Sequence, residues 1–316
     1  MQQYNSALKE YKKKLTSDEI DPNEIRQNLA LGNEPTAIAS YEILGNNPNL
    51  FFQESYPNDP TTFWIEGENL SSLIGSFLKV TWDNLKNSSY KGNRISKMTA
   101  VFSDLMHDNG NKENHNAMLR IGKNPYNGMS YIYSSSITAE YTLYDEKGNI
   151  INLPDDASSW ITIGSLNAGN ARQEGASLLS AGKVYGFKDS SVTVHDGNTL
   201  YSDKANDFHT IIGGDWRDTT VIDQSQYPWG TDNWDTGLDN DRAYYGAGVF
   251  NIEGGKFKIK FFTNRSEQRN VKTWVTISTS IIKSNSGIIP PTVHYNDTEV
   301  VLECKLRCIY INFFVL

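Results

Sequence analysis

Apolar positions recur along this chain at two different periods, and the change from one to the other divides it. Tyr4, Ala7, Leu8, Tyr11 and Leu15 fall at i, i+3, i+4, i+7 and i+11, the spacing of one helix face. Lys9, Glu10, Lys12, Lys13 and Lys14 occupy the remaining positions. A single short amphipathic helix is marginal alone. This one is therefore expected either to pack on the domain that follows or to end a longer helical stalk. Asp21-Pro22-Asn23 breaks the pattern.

From Phe77 onward the period is two. Lys256-Phe257-Lys258-Ile259-Lys260-Phe261 alternates with lysines outward, the mark of an antiparallel strand with one wet face. Lys272 to Ile282 repeats the theme, with Val275, Ile277, Thr279 and Ile281 on one side. Tyr131 to Tyr144 predicts another strand, and Asp145-Glu146-Lys147-Gly148-Asn149 a turn that closes a hairpin on Ile150-Ile151. Ile95 to Leu105 and Ser159 to Leu166 predict two more. No series of glycine-capped helices separates them, so an antiparallel β-sandwich is expected rather than a parallel α/β fold. The stretch 202–245 is crowded with Asp, Asn, Gly and Trp and hardly alternates. A loop excursion of that length is usually functional.

Composition narrows the class. Aromatic residues make up 12% of the 316, too many for a disordered chain. The net charge of -8 argues against broad nucleic-acid binding, though a local basic cleft stays open. The two cysteines, Cys304 and Cys308, leave the rest of the chain cysteine-free and make a poor zinc signal without a second pair or a histidine cluster. Met1 is followed by polar residues, and no run approaches the ~20 apolar residues a membrane helix needs.

Several segments resemble one family in order and spacing. They are Tyr4-Asn5-Ser6-Ala7-Leu8-Lys9-Glu10-Tyr11, Gln27-Asn28-Leu29 with Gly32-Asn33-Glu34-Pro35, and Tyr90-Lys91-Gly92-Asn93-Arg94-Ile95-Ser96-Lys97. Further on come Tyr144 to Asn149, Ser190-Ser191-Val192-Thr193-Val194-His195, and Asp241-Arg242-Ala243-Tyr244-Tyr245-Gly246-Ala247-Gly248-Val249 followed by Trp274. Together they resemble the glucan-binding protein C and antigen I/II variable-domain family of Gram-positive surface adhesins, which includes aggregation substance. The resemblance implies a mainly β, lectin-like sandwich (a supersandwich), displayed extracellularly on the cell wall and often holding a structural Ca²⁺. It implies ligands among glucans, lipoteichoic acid, surface glycoproteins and extracellular DNA. The expected layout is a stalk end over 1–20, an adhesin head over 21–286, and a linker with the start of a following module over 287–316. The chain is thus expected to be an excerpt of a longer exported protein, its head monomeric and without membrane insertion. Residues 303–316 are expected to be dispensable.

The richest candidate chemistry runs from Trp229 to Asp241. Rings that stack on a sugar face, beside carboxylates and amides that bond its hydroxyls, make a sugar site. Trp229, Trp234, Tyr244 and Tyr245 with Asp232, Asn233 and Asp235 supply both parts. The same composition fits a solvated loop whose tryptophans plug the sandwich edge. Asp232, Asp235, Asp239 and Asp241 are the candidate Ca²⁺ ligands, though not at EF-hand spacing. For DNA, the densest basic stretch of the β region is Lys79, Lys86, Lys91, Arg94 and Lys97.

Enzyme motifs are weak. Glu19-Ile20-Asp21-Pro22-Asn23-Glu24 superficially matches the alternating acids of a sandwich glycosidase, but Asp-Pro-Asn is turn chemistry. His195-Asp196 lacks an accompanying serine elbow. Gly213-Gly214-Asp215 and Gly254-Gly255 lack the lysine of a phosphate loop. A carbohydrate-binding, non-enzymatic adhesin head is the expectation, with a protein- or DNA-binding aggregation module as the alternative.

Overall fold

The computed structural model describes residues 6, 9–13, 15, 17–56, 59–109, 114–169, 172–206, 234–237, 240–264 and 272–281. The chain divides into a compact unit, Ser17–Ile288, and a second one of Met1–Thr16 with Ile289–Leu316. In the second unit residues 9–13 are helical, part of the expected helix. The linker and tail expectations, including Cys304 and Cys308, lie outside the described residues.

The larger unit is built from sheets. Among the described residues there is one eight-stranded sheet, two of five strands and one of three. The eight-stranded sheet is antiparallel throughout, and its centre comprises Leu73–Asp83, Lys97–His107, Ser134–Tyr144 and Phe257–Asn264. Phe257, Ile259 and Phe261 are buried while Lys256 and Lys260 are exposed, the alternation the sequence predicts. Their inner faces join side chains from both five-stranded sheets, such as Ile65, Leu119 and Tyr131 from one and Ile161, Val184 and Phe250 from the other, in one continuous core. Buried hydroxyls tie layers together: Tyr131 Oη lies 2.9 Å from Thr263 Oγ1, which lies 2.9 Å from Thr273 Oγ1.

Two predicted strands prove to be two strands each. Met129–Ile132 belongs to a five-stranded sheet and Ser134–Tyr144 to the eight-stranded one. Between them Tyr133 takes a left-handed φ of 52°, which turns the chain from one layer into the other. Likewise Lys272–Val275 pairs with Met129–Ile132, whereas Ile277–Ser278 pairs with Thr162 and Ile163 of the other five-stranded sheet. The Asp145–Asn149 turn forms as predicted. Tyr144 bridges to Ile150, Gly148 sits at φ 81°, and Asp145 Oδ1 accepts from Lys147 N and Asn149 N at 2.9 and 2.8 Å. The Asn149 side-chain amide, donating to Asp145 Oδ2 at 3.0 Å, and then these backbone bonds hold the Asp145 carboxyl below its usual range.

Glu19–Ile20 is the one departure from antiparallel pairing among the described strands. It runs parallel to Gly182–Phe187, with Ile20 opposite Phe187. Pro22–Glu24 then forms a 3-10 turn capped by Asp21, whose Oδ1 accepts from Asn23 N at 2.8 Å. The acids of this stretch thus cap and leave a turn instead of alternating along one strand.

Candidate functional site

A parallel pair delivers two chain segments to the same place. Because Ile20 lies opposite Phe187, the residues after each leave the sheet side by side, and Lys188 N donates to Ile20 O at 2.9 Å. Asp21, Pro22 and Asn23 form one wall of a cleft of about 490 Å³, and Lys188 and Asp189 another. Asn240, Asp241 and Tyr244 close it from the third side, with Ser280 and Ile281 from the segment after Ile277–Ser278. Asn240 is oriented by bonds to Arg242 N and Thr236 Oγ1, both 2.8 Å. Among the described residues, the half-buried ring of Tyr244 is the aromatic element of this lining.

A second cavity of about 250 Å³ is lined by Ser165, Trp234, Asp235, Gly237, Ala243, Trp274 and Ile281. Ile281 lines both cavities. Trp274 is half-exposed and held by a 2.8 Å bond from its Nε1 to Asn127 O.

The predicted site residues divide. Tyr244 and Asp241 line the larger cleft. Tyr245 is buried, and its ring meets Trp234 edge-on at 6.1 Å. Trp234 is fully buried, donates from Nε1 to Asn206 O at 2.7 Å, and fills the space above Gly246. It plugs the sandwich, so the expectation of a sugar-stacking Trp234 is corrected by its burial. Asp235 faces inward, accepting from Asn167 Nδ2 at 2.8 Å and Ser165 Oγ at 3.2 Å. Trp229, Asp232, Asn233 and Asp239 lie outside the described residues. Sequence reasoning missed Asp21, Asn23, Lys188 and Asp189 as cleft residues; the turn chemistry of Asp21-Pro22-Asn23 was the available signal.

Behind Asp235 sits Glu174, 2% exposed. It accepts from Asn167 N at 3.0 Å and lies 3.7 Å from Arg172. Burial pushes its carboxyl up to about 7, with the Asp235 charge adding to the rise and Arg172 and Asn167 opposing it.

For calcium, the described members of the expected quartet do not assemble. Asp235 and Asp241 line different cavities, and among the described residues no three His, Cys, Asp or Glu side chains are grouped to hold a metal ion. The basic stretch is also divided. Lys79 and Lys97 stand on the large sheet, Lys91 and Arg94 on the small hairpin. Lys79 faces Glu42 at 3.6 Å, Lys91 faces Asp156 at 3.8 Å, Arg94 faces Glu146 at 3.3 Å, and Lys97 lies over the Tyr144 ring. His195 ends its strand with its ring stacked 3.5 Å from that of Tyr201.

Comparison with known proteins places this architecture. The glucan binding protein C of Streptococcus mutans shares it at 23% identity and a TM-score of 0.61, over 91% of this chain and 88% of that one. The adhesin domain of PrgB from Enterococcus faecalis shares it at 16% identity and a TM-score of 0.56, over 81% and 90%. The same domain bound to DNA matches at 18% and 0.50, over 69% and 71%. Those proteins are adhesins, not enzymes. The sequence profile of the family described as glucan-binding protein C matches residues 12–278. The chain belongs to the glucan-binding protein C family.

Proposed function

We propose that this domain acts at the cell surface by binding a neutral glucan in the cleft between Asp21 and Tyr244. The observation that carries this reading is the charge of the described lining: among the described residues Asp21, Asp189 and Asp241 stand with a single ammonium, that of Lys188. A polyanion such as DNA or teichoic acid needs the reverse balance, because its affinity comes from cations on its phosphates. A neutral polyol suits carboxylates and amides, which accept from and donate to its hydroxyls, while Tyr244 offers a ring to an apolar sugar face. Trp274, beside the adjoining cavity, is positioned to extend the aromatic surface along a polymer.

Isothermal titration with a neutral glucan oligosaccharide, a teichoic acid and duplex DNA tests this reading. Binding of the glucan alone, weakened about tenfold (~1.4 kcal/mol) by Tyr244→Ala with unchanged circular dichroism, is the expected result. Glucan heat signals that survive both Tyr244→Ala and Asp241→Asn, or DNA binding tighter than glucan binding, would overturn it.

A further inference from the structure

One of the two edge strands of the eight-stranded sheet, Ile38–Ile43, has a neighbour on one side only among the described residues. Edge strands of natural sheets are normally guarded by lysine, proline or a covering element. This one reads Ile38-Ala39-Ser40-Tyr41-Glu42-Ile43, with neither lysine nor proline. Seven large apolar side chains are exposed among the described residues, and four are here or on the partner strand: Ile38 (63%), Tyr41 (38%), Ile43 (41%) and Ile74 (64%).

The ladder shows which backbone groups are open. Ile38 to Ile43 run antiparallel opposite Asp83 to Leu78, and Leu44 N donates to Phe77 O at 3.0 Å. Bonded and non-bonded pairs alternate along such a ladder. Residues 38, 40 and 42 therefore turn their N–H and C=O inward, while Ala39, Tyr41 and Ile43 turn theirs toward the open edge.

We propose that this edge is a homotypic docking strand, on which a second copy of the chain pairs antiparallel about a two-fold axis at Tyr41. That register sets Tyr41 opposite its own copy and Ala39 opposite Ile43, so all three outward-facing residues meet bonding partners. It also sets Ile38 opposite Leu44 and Ser40 opposite Glu42, so apolar groups meet apolar groups and no like charges meet. Glu42 is balanced within its own subunit by Lys79 at 3.6 Å. An isologous contact of this kind closes as a dimer instead of growing into a fibre.

Sedimentation velocity of the full chain over a concentration series tests the pairing. The weight-average mass should rise toward twice that of one chain. Ala39→Pro removes an outward N–H without touching an inner ladder bond and should abolish the rise. The Ser40 variants test the register and leave the fold alone, since Ser40 is exposed. Ser40→Glu faces Glu42 of the partner twice per dimer and should weaken association about tenfold, whereas Ser40→Lys should tighten it. A wild type that stays monomeric throughout overturns the proposal, even if the edge captures an extended peptide. So does association that Ser40→Glu and Ser40→Lys shift alike or not at all, which would place the contact elsewhere.

Discussion

Replacing Glu174 by Gln should make the domain more stable at neutral and alkaline pH, a gain that can be worked from the burial of one carboxyl. Its side chain is 2% exposed, and burial with the Asp235 charge raises it from its ordinary 4.5 to about 7 against the opposing pull of Arg172 and Asn167. Below 4.5 the group is protonated in both folded and unfolded chains and contributes no pH dependence. Between 4.5 and 7 the unfolded chain has released the proton while the folded one keeps it, so stability falls as pH rises. Above 7 the full penalty is present, and a rise from 4.5 to about 7 corresponds to ~3 kcal/mol at about 1.4 kcal/mol per pH unit. Gln carries no charge to desolvate and keeps an oxygen to accept from Asn167 N. Melting curves of wild type and Glu174→Gln from acid to alkaline pH provide the assay. The two should nearly coincide at pH 4, and the variant should melt about 5–10 °C higher at pH 8. Parallel profiles at all pH values, or a variant less stable at pH 8, would refute the reasoning.

Other perturbations are expected to act through packing and capping. Trp234→Ala empties a fully buried site and strands the Asn206 carbonyl, and should cost ~3–5 kcal/mol in a denaturant titration. Gly246→Ala would put a methyl 1.9 Å from the Trp234 ring and should cost at least ~1–3 kcal/mol. In the Trp234→Ala background that cost should largely vanish, and a double-mutant cycle showing no coupling would count against the plug. Glu34 is 1% exposed and accepts from Lys86 N, Asn87 N and Ser88 Oγ at 2.6, 2.8 and 2.8 Å. Glu34→Ala should therefore lower stability by ~2–4 kcal/mol, read from the same titration.

Local chemistry was legible in the sequence where one residue's neighbours decide its conformation. The Asp145–Asn149 turn and the Asp21 cap follow from short-range bonds, and Phe257–Asn264 from an alternation that one wet face enforces. The layer changes at Tyr133 and after Val275 were not legible, because a strand that passes from one sheet to another keeps its period of two on both sides. Trp234 carried the composition of a sugar platform, yet its place is fixed by a cavity over Gly246 and a bond to Asn206, both distant from it in the local pattern. The cleft was half legible. Asp241 and Tyr244 lie in the stretch singled out, but Asp21 and Lys188 join them only through a parallel pairing between residues more than 150 positions apart.

The two cavities are held in different ways, which separates binding from the pH response. Asp21 and Lys188 are fixed by the backbone of a parallel pair, and Ser280 follows a strand registered on Thr162 and Ile163. The described wall at Asp235 hangs instead on side chains: Asn167 Nδ2 donates to Asp235 at 2.8 Å and reaches Glu174 at 3.3 Å. A change of charge at Glu174 is therefore felt first at Asp235, in the smaller cavity. Glucan affinity of Glu174→Gln at pH 8 should stay within about twofold of wild type even as its melting temperature rises. If affinity moved with stability, the polymer would engage the Asp235 cavity as its main site, and Trp274 instead of Tyr244 would be its principal ring.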